Sequence, residues 1–185
     1  MKADELKQKA LIVFSQHGYE GASLSLIAEE AGIKKQSIYS HYKSKDDLFL
    51  QTAEDVFQHE MDHAIASLKT KSAEDIHSRL YAYLTDCMER YEKNAETKFW
   101  LRTAFFPPEH MYKELMTQVY NHLDVLEAAL FELFEGARIV TDSRQAAIAY
   151  LGVLDSLFVE MLYGGKDRSQ KRLDASWSIF WKGIH

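Results

Sequence analysis

The sequence predicts an all-α fold, and three observations support this prediction. The chain of 185 residues has only two prolines, adjacent at Pro107-Pro108, and eight glycines. So few helix breakers favour long helices joined by short connections. Apolar residues recur every three or four positions along most of the chain, as they do on the buried face of a helix. Two short helical patterns also meet at Gly32, which is typical of a helix-turn-helix.

The first predicted helix covers residues 3–17 and ends at Gly18, which can adopt a left-handed cap. The second helix begins at Ser23 or Ser25, because either hydroxyl can cap it, and it ends at the Gly32 turn. One apolar stripe attaches the first helix to the core, and its members are Leu6, Ala10, Val13 and Phe14.

The third predicted helix covers residues 35–42, and Ser44 begins a fourth with Asp47 in a capping-box position. The rest of the chain predicts further helices that are separated at proline and glycine positions. These helices cover residues 73–93, 95–106, 109–134, 143–163 and 169–184.

Positive charge is concentrated in one short segment. The formal net charge of −6 by itself argues against nucleic acid as a partner. Residues 33–45, however, contain Lys34, Lys35, Lys43 and Lys45 and no acidic residue. The local field decides where phosphate binds. We therefore predict that the third helix lies on double-stranded DNA, and the alternative for the lysines alone is a solvated helix face.

The side chains of this segment suit two kinds of DNA contact. Lysines can neutralise phosphates, whereas Gln36 can bridge adenine N6 and N7 and Lys35 can donate to guanine. Of Tyr39 and Tyr42, one can pack inward while the other reaches the DNA backbone. The predicted DNA-binding residues are Ser25, Lys34, Lys35, Gln36, Ser37, Tyr39, His41, Tyr42 and Lys45.

These motifs resemble a known family. Residues 13–19 read V-F-S-Q-H-G-Y, and residues 23–48 read S-L-S-L-I-A-E-E-A-G-I-K-K-Q-S-I-Y-S-H-Y-K-S-K-D-D-L. Over about residues 6–50 the chain resembles the TetR family of bacterial transcriptional repressors. The resemblance implies a homodimer paired through its last two helices, a palindromic operator, and a small molecule that releases the DNA. The matching contact positions are Lys35, Gln36, Ser37, Tyr39, His41 and Lys45.

Two positions depart from the pattern of that family. Lys34 stands where the family usually has a serine that caps the third helix, so the cap must come from elsewhere or from water. Gln36 stands where the family has a small residue, often glycine, so it either adds base readout or changes the docking depth. The operator of a relative therefore does not carry over to this chain.

The last two predicted helices are apolar on nearly all sides. Such helices must be covered on nearly all sides, and a second copy of the chain is a natural cover for a domain of this size. A central core helix within a monomer is the alternative. We expect a homodimer through these two helices.

Large side chains in the second half of the chain suggest an effector site between helices. At helical spacing such residues also form ordinary core, and both interpretations stay open. Their aromatic content favours an apolar or aromatic small molecule. The candidate ligand-binding residues are Tyr83, Met88, Phe99, Trp100, Thr103, Phe106, Tyr120 and Phe158.

One enzyme motif occurs in the chain. Residues 59–63 read H-E-M-D-H, which matches the H-E-x-x-H of zinc proteases. On a helical wheel His59 and His63 point away from the apolar stripe, and no third ligand of the usual kind follows. We therefore predict no catalytic residue, no metal and no cofactor.

The remaining features bear on location and domain organisation. The single cysteine, Cys87, fits a reducing cytoplasm, the N-terminus is too charged for a signal peptide, and no apolar run approaches the ~20 residues of a membrane span. We predict a cytoplasmic, ligand-responsive transcriptional regulator, with a helix-turn-helix DNA-binding domain at 1–46 and a helical ligand-binding and dimerisation domain at 47–185. The alternative is a ligand-independent DNA-binding adaptor whose C-terminal domain binds a protein, and a metallopeptidase ranks third.

Overall fold

A computed structural model describes residues 2–69 and 75–185, and the chain forms helices and turns throughout these ranges. The predicted all-α fold is confirmed. The predicted helix start at residue 73 lies outside the described residues. The helices are α1 (Ala3–Gly21), α2 (Leu24–Glu30), α3 (Lys35–Ile38), α4 (Lys45–Lys69), α5 (Ile76–Lys93), α6 (Ala95–Phe105), α7 (Tyr112–Glu135), α8 (Ser143–Tyr163) and α9 (Lys166–Ile184), with a 3-10 turn (Glu109–Met111) before α7.

Two helix ends in the N-terminal region differ from the prediction. Gly18 has a positive φ of 67° but a ψ of −178°, so it does not form the predicted left-handed cap, and the helix resumes beyond it and ends at Gly21. The third helix ends at Ile38 instead of residue 42. The Ser40 hydroxyl donates to the Ser37 carbonyl at 2.6 Å just beyond the end of this helix.

The chain groups into two compact units. Unit 1 comprises Met1–Glu60 and Asn94–Tyr120, and unit 2 comprises Met61–Lys93 and Asn121–His185. The sequence analysis divides the chain after residue 46 into a DNA-binding domain and a ligand-binding and dimerisation domain, whereas these two units are defined by compactness. That division therefore stays a prediction.

Aromatic side chains from helices that are distant in sequence form the core of unit 1. Phe14 of α1 lies edge-on to Phe49 of α4, with ring centroids 4.9 Å apart, and Phe49 lies 5.2 Å from Phe99 of α6. All three side chains are buried, and burial of each contributes about 1.5–3 kcal/mol. Helix α6 is therefore part of the core that supports the helix-turn-helix.

Arg102 of α6 reaches α1 at its kink. The Arg102 Nη1 donates to the Gln16 carbonyl at 3.3 Å. A Cβ atom at Gly18 would lie 2.8 Å from Arg102 Nε. Because Gly18 also has a positive φ, which L side chains rarely adopt, any other residue there would strain the backbone and displace the guanidinium.

The core of unit 2 is centred on Tyr150 of α8. Its side chain is fully buried, and its hydroxyl donates to the Leu80 carbonyl of α5 at 2.8 Å. Burial raises the pKa of Tyr150 well above its usual value. Its ring lies 5.7 Å from that of Phe180 in α9, so one residue links three helices.

A buried carboxylate closes the turn between α8 and α9. Glu160 accepts from Arg168 Nε at 3.0 Å and from Arg172 Nη2 at 2.5 Å. These two guanidinium groups lower the pKa of Glu160 to about 2. A Cβ at Gly164 would collide with Glu160 Oε2, so the turn has room for the carboxylate because residue 164 is glycine.

Helix α8 has one buried and one exposed apolar face. By length and composition it could cross a membrane, with a mean hydropathy of 1.5 over its most apolar window, which differs from the sequence expectation of no such run. Core helices of soluble proteins pass the same test. Its buried face explains part of this apolar character. The exposed apolar residues of the two C-terminal helices are Ile148, Val159, Tyr163 and Ile179.

Candidate nucleic-acid interface

Helices α2 and α3 form the predicted helix-turn-helix within unit 1. The Ser23 hydroxyl accepts from the Leu26 N–H at 3.1 Å, so Ser23 is the cap and Ser25 is an exposed residue of α2. Gly32 has a φ of 65° in the turn. Ile38 is fully buried and fixes α3 to the core.

The segment from Lys34 to His41 presents an exposed surface without acidic side chains. Tyr39 is 53% exposed, whereas Ile38 is fully buried and attaches the segment to the core. A surface of cationic and amide groups can contact both phosphates and base edges. The exposed members of the predicted set are Ser25, Lys34, Lys35, Gln36, Ser37, Tyr39 and His41.

Tyr42 lies on the opposite side of this segment. It is 2% exposed, its hydroxyl donates to the Ala3 carbonyl at 2.9 Å, and burial raises its pKa. Tyr39 and Tyr42 therefore divide as expected, one outward and one inward. The predicted DNA contact of Tyr42 has to be corrected, because its side chain joins the helix-turn-helix to the start of α1.

Lys45 begins α4 and is held by the end of α1. Its Nζ donates to the carbonyls of Tyr19 at 2.9 Å and Ala22 at 3.1 Å, and it lies 3.8 Å from the centre of the Tyr19 ring. Lys45 was predicted only as a phosphate contact. The sequence interpretation missed its structural contacts because they join positions 23 and 26 residues apart.

One of the two bonds of the predicted capping box forms at the start of α4, and the Asp47 carboxylate accepts from the residue before the cap instead of from the cap itself. The Asp47 N–H donates to Ser44 Oγ at 3.1 Å, and the Lys43 N–H donates to Asp47 Oδ2 at 2.7 Å. This backbone bond is the main reason why the pKa of Asp47 is lowered. The box fixes where α4 begins relative to the basic segment.

Lys34 is the N-cap of α3, and its side chain makes no capping hydrogen bond. We expect Lys34→Ser to raise the free energy of unfolding by about 0.5–1 kcal/mol, because serine caps helices well. The same change should reduce the slope of log affinity for duplex DNA against log salt by about 0.9, the value for one lost phosphate contact. Urea denaturation and fluorescence anisotropy measure the two effects. Lys34→Ala is the control, since it removes the charge without adding a cap, and a Lys34→Ser variant with an unchanged salt slope would contradict the phosphate contact.

The predicted ligand-binding residues do not form one cluster. In unit 1, Phe99, Trp100 and Thr103 are buried, whereas Phe106 and Tyr120 are exposed. In unit 2, Tyr83 and Met88 are buried and Phe158 is partly exposed. Of these eight residues, Met88 lines a cleft of 320 Å³ in unit 2. The cleft is lined by Thr85, Met88, Glu89, Glu92, Lys93, Met161, Lys166, Ser169 and Gln170.

The polar lining of this cleft was missed because the prediction searched for large apolar residues. Lys166, Ser169 and Gln170 occupy the first turn and a half of α9, which begins three residues before the helix predicted at 169–184. The signal available in the sequence was the run of polar residues after Gly165. The cleft is therefore lined mainly by polar and charged side chains and not by aromatic ones.

The three residues of the H-E-x-x-H motif have separate partners. His59 Nδ1 lies 3.3 Å from Glu96 Oε1, and His63 Nε2 lies 2.6 Å from Asp86 Oδ2. Glu60 is buried and accepts from Thr97 Oγ1 at 2.9 Å, so it is part of the core of unit 1. Within residues 2–69 and 75–185, no group of three or more His, Cys, Asp or Glu side chains is placed to hold a metal ion.

The chain is similar in sequence to a family of DNA-binding regulators. Residues 8–52 match the family model "Bacterial regulatory proteins, tetR family". The chain is 25% identical over 169 residues to the biofilm operon icaADBC HTH-type negative transcriptional regulator IcaR of Staphylococcus epidermidis, covering 91% of this chain and 85% of that relative. The regulator of the same name from Staphylococcus aureus (strain Newman) is 31% identical over 91 residues, or 48% of each chain.

Solved structures share the fold over nearly the whole chain. A TetR-like transcriptional regulator from Rhodococcus sp. RHA1 has a TM-score of 0.73 at 23% identity, covering 97% of this chain and 93% of that one. FadR from Bacillus subtilis, solved in complex with stearoyl-CoA, has a TM-score of 0.70 at 16% identity, and the match covers 100% of both chains.

Proposed function

The chain belongs to the TetR family of bacterial transcriptional regulators, and from this premise we propose that it is a repressor that binds a palindromic operator as a homodimer and releases it when a small molecule binds. The exposed, acid-free segment from Lys34 to His41 carries the proposal, because it places cationic, amide and hydroxyl groups on one helix-turn-helix surface. The name of the Staphylococcus epidermidis relative, a negative transcriptional regulator, supports repression.

Contacts within the proposed interface divide by chemistry. Lys34 and Lys35 neutralise phosphates and release counterions, which gives affinity for any duplex. Gln36 and Lys35 reach base edges in the major groove, where an amide pairs with adenine and an ammonium with guanine. Tyr39 donates its hydroxyl to the DNA backbone. Specificity therefore comes from few residues and affinity from several.

The exposed apolar surface of α8 and α9 supports a homodimer. Ile148 and Val159 lie on one side of α8, and Ile179 of α9 is 75% exposed. TetR-family regulators form dimers, and a two-fold axis matches two half-sites of a palindrome. A second copy of the chain would cover these side chains, so we propose that α8 and α9 are the dimer interface.

The cleft of unit 2 is the proposed effector site. Its volume of 320 Å³ lies within the usual range for small-molecule pockets, and the buried side chains of Met88 and Met161 give it an adaptable apolar floor. Four of its lining residues carry charge. We therefore propose an effector with an apolar body and polar ends in place of the purely apolar or aromatic one predicted from sequence. Bound stearoyl-CoA in the Bacillus subtilis FadR structure supports ligand binding in this fold.

TetR-family regulators are soluble DNA-binding proteins, and we propose that this one acts in the cytoplasm. As a regulator of this family it needs no catalytic residue and no cofactor for the proposed function. In the proposed dimer the exposed apolar face of α8 contacts the partner subunit. The apolar character of α8 is then explained without a membrane.

Fluorescence anisotropy on duplexes that tile the DNA flanking the protein's own gene tests the proposal. We expect one palindromic segment to bind at least about a thousandfold more tightly than scrambled duplex at physiological salt, the usual ratio for a specific regulator. Equal affinities that both collapse as salt rises would contradict sequence-specific regulation. The specific complex is then challenged with a library of acyl and aromatic anions and cations. If it forms but none of these compounds releases it, the protein is the ligand-independent adaptor and not an effector-controlled repressor.

A further inference from the structure

Lys45 is held in unit 1 by contacts with the end of α1. An ammonium group has three N–H donors, and the described contacts of Lys45 use two of them, on the carbonyls of Tyr19 and Ala22. Both carbonyls lie at the C-terminal end of α1, and the Tyr19 carbonyl also accepts from the Ala22 N–H at 3.3 Å. The ammonium also lies 3.8 Å from the centre of the Tyr19 ring, and Lys45 is half-buried, so the contacts with α1 position the side chain while part of it remains open to solvent.

A carboxylate contacts the same tyrosine as this ammonium. Asp46 follows Lys45 in α4, and its carboxylate accepts from the Tyr19 hydroxyl through Oδ1. Its Oδ2 lies 3.2 Å from His110 Nε2. Burial and the Asp46 carboxylate raise the pKa of Tyr19, so the hydroxyl stays protonated and donates. An uncompensated carboxylate at this place would repel a DNA phosphate that approaches Lys45.

His110 comes to this cluster from a distant part of the chain. It lies in the 3-10 turn (Glu109–Met111), its ring centroid is 5.2 Å from that of Tyr19, and its side chain is 50% exposed. Protonated His110 forms an ion pair with Asp46 and cancels its charge, whereas neutral His110 does not. The charged and titratable groups that face it are Tyr19 of α1 and Asp46 of α4, with Lys45 beside the same Tyr19 ring.

We propose that His110 is a positioning residue for DNA binding, which compensates the charge of Asp46 and so keeps Lys45 available to a phosphate. The inference rests on the proposed DNA-binding function and extends it to a residue outside the helix-turn-helix. His110 contacts no DNA in this proposal and acts only through Asp46. Its contribution therefore depends on the charge of Asp46 and on pH.

A double-mutant cycle between His110→Gln and Asp46→Asn tests the inference. Affinity for a fluorescein-labelled duplex of mixed sequence is measured by anisotropy at constant ionic strength, at pH 6 and pH 8, which bracket the ordinary titration range of histidine. At pH 6, His110→Gln should weaken binding about two- to fivefold, the effect of one partly exposed ion pair. At pH 8 it should change little, and in the Asp46→Asn background it should have no effect at either pH.

His59→Gln is the matched control, because His59 also pairs with a carboxylate in unit 1, that of Glu96 at 3.3 Å. It should leave DNA affinity unchanged at both pH values. His41 is present in all these variants, so differences between them isolate the residue that was changed. Thermal unfolding confirms that each variant is folded.

The possible failures are distinguishable. If His110→Gln causes the same loss in the wild-type and Asp46→Asn backgrounds, His110 acts independently of Asp46, through packing or through its own charge, which overturns the inference. Equal affinity of wild type and His110→Gln at pH 6 would also overturn it while leaving DNA binding intact. If the wild-type protein binds no duplex even at low salt, the proposed function itself fails.

Discussion

Replacement of Ile179 by glutamate is expected to dissociate the dimer and to weaken operator binding at least about a hundredfold. Ile179 is 75% exposed in the single subunit, so the change should hardly affect the folding of one chain. In the proposed interface the new carboxylate would be buried without a partner, and breaking or omitting one member of a buried pair costs about 3–5 kcal/mol. A two-fold interface contains the change twice.

Sedimentation velocity and operator anisotropy measure the two consequences of Ile179→Glu. The control is Val140→Glu, because Val140 is 78% exposed and lies in the turn before α8, outside both helices. The control should remain dimeric and bind the operator as the wild type does. A dimeric Ile179→Glu variant with full affinity would place the interface on another surface.

Lys35→Glu should have the second-largest effect, a loss of duplex affinity on the order of a hundredfold. The change removes a contact to phosphate or to guanine, and a bidentate contact to guanine is worth about 1–3 kcal/mol. It also places a negative charge where the DNA backbone repels it. Lys35 is the first residue of α3, where an acidic side chain favours the helix. The loss therefore cannot be attributed to an unfolded recognition helix.

Lys113→Glu is the control for Lys35→Glu. Lys113 is an exposed residue of α7 in unit 1, so the variant has the same net charge and lies outside the predicted DNA-binding domain. Anisotropy on operator and scrambled duplexes should show little change for it. Equal losses in both variants would mean that net charge, and not the position of Lys35, governs binding.

The parts of the fold that depend on neighbouring residues were predictable. Ser23 caps α2, Gly32 forms the turn, and Ser44 with Asp47 starts α4, and each of these features is determined within a few positions of the chain. The end of α3 was placed too late, at residue 42 instead of Ile38, because apolar periodicity does not fix the last residue of a helix.

The contacts that join distant segments were not predictable from pattern. Arg102 and Gln16 are 86 residues apart, and nothing in either neighbourhood indicates that α6 supports α1. The same holds for His110 and Asp46. Phe99 was assigned to an effector site for its size, although it packs on Phe49 in the core of unit 1. A large aromatic side chain tends to be buried, but its size does not say whether it packs against protein or against a ligand.

The distribution of tryptophan gives each compact unit its own optical signal. Trp100 lies in unit 1, with its ring 4.6 Å from Phe57, whereas Trp177 and Trp181 lie in unit 2, 5.5 Å from each other. These are the three tryptophans of the chain. Emission from a Trp100→Phe protein therefore reports on unit 2 alone, including the helix that bears Ile179. Its unfolding curve, compared with far-ultraviolet circular dichroism of the whole chain, reveals whether the two units melt as one cooperative system or as two.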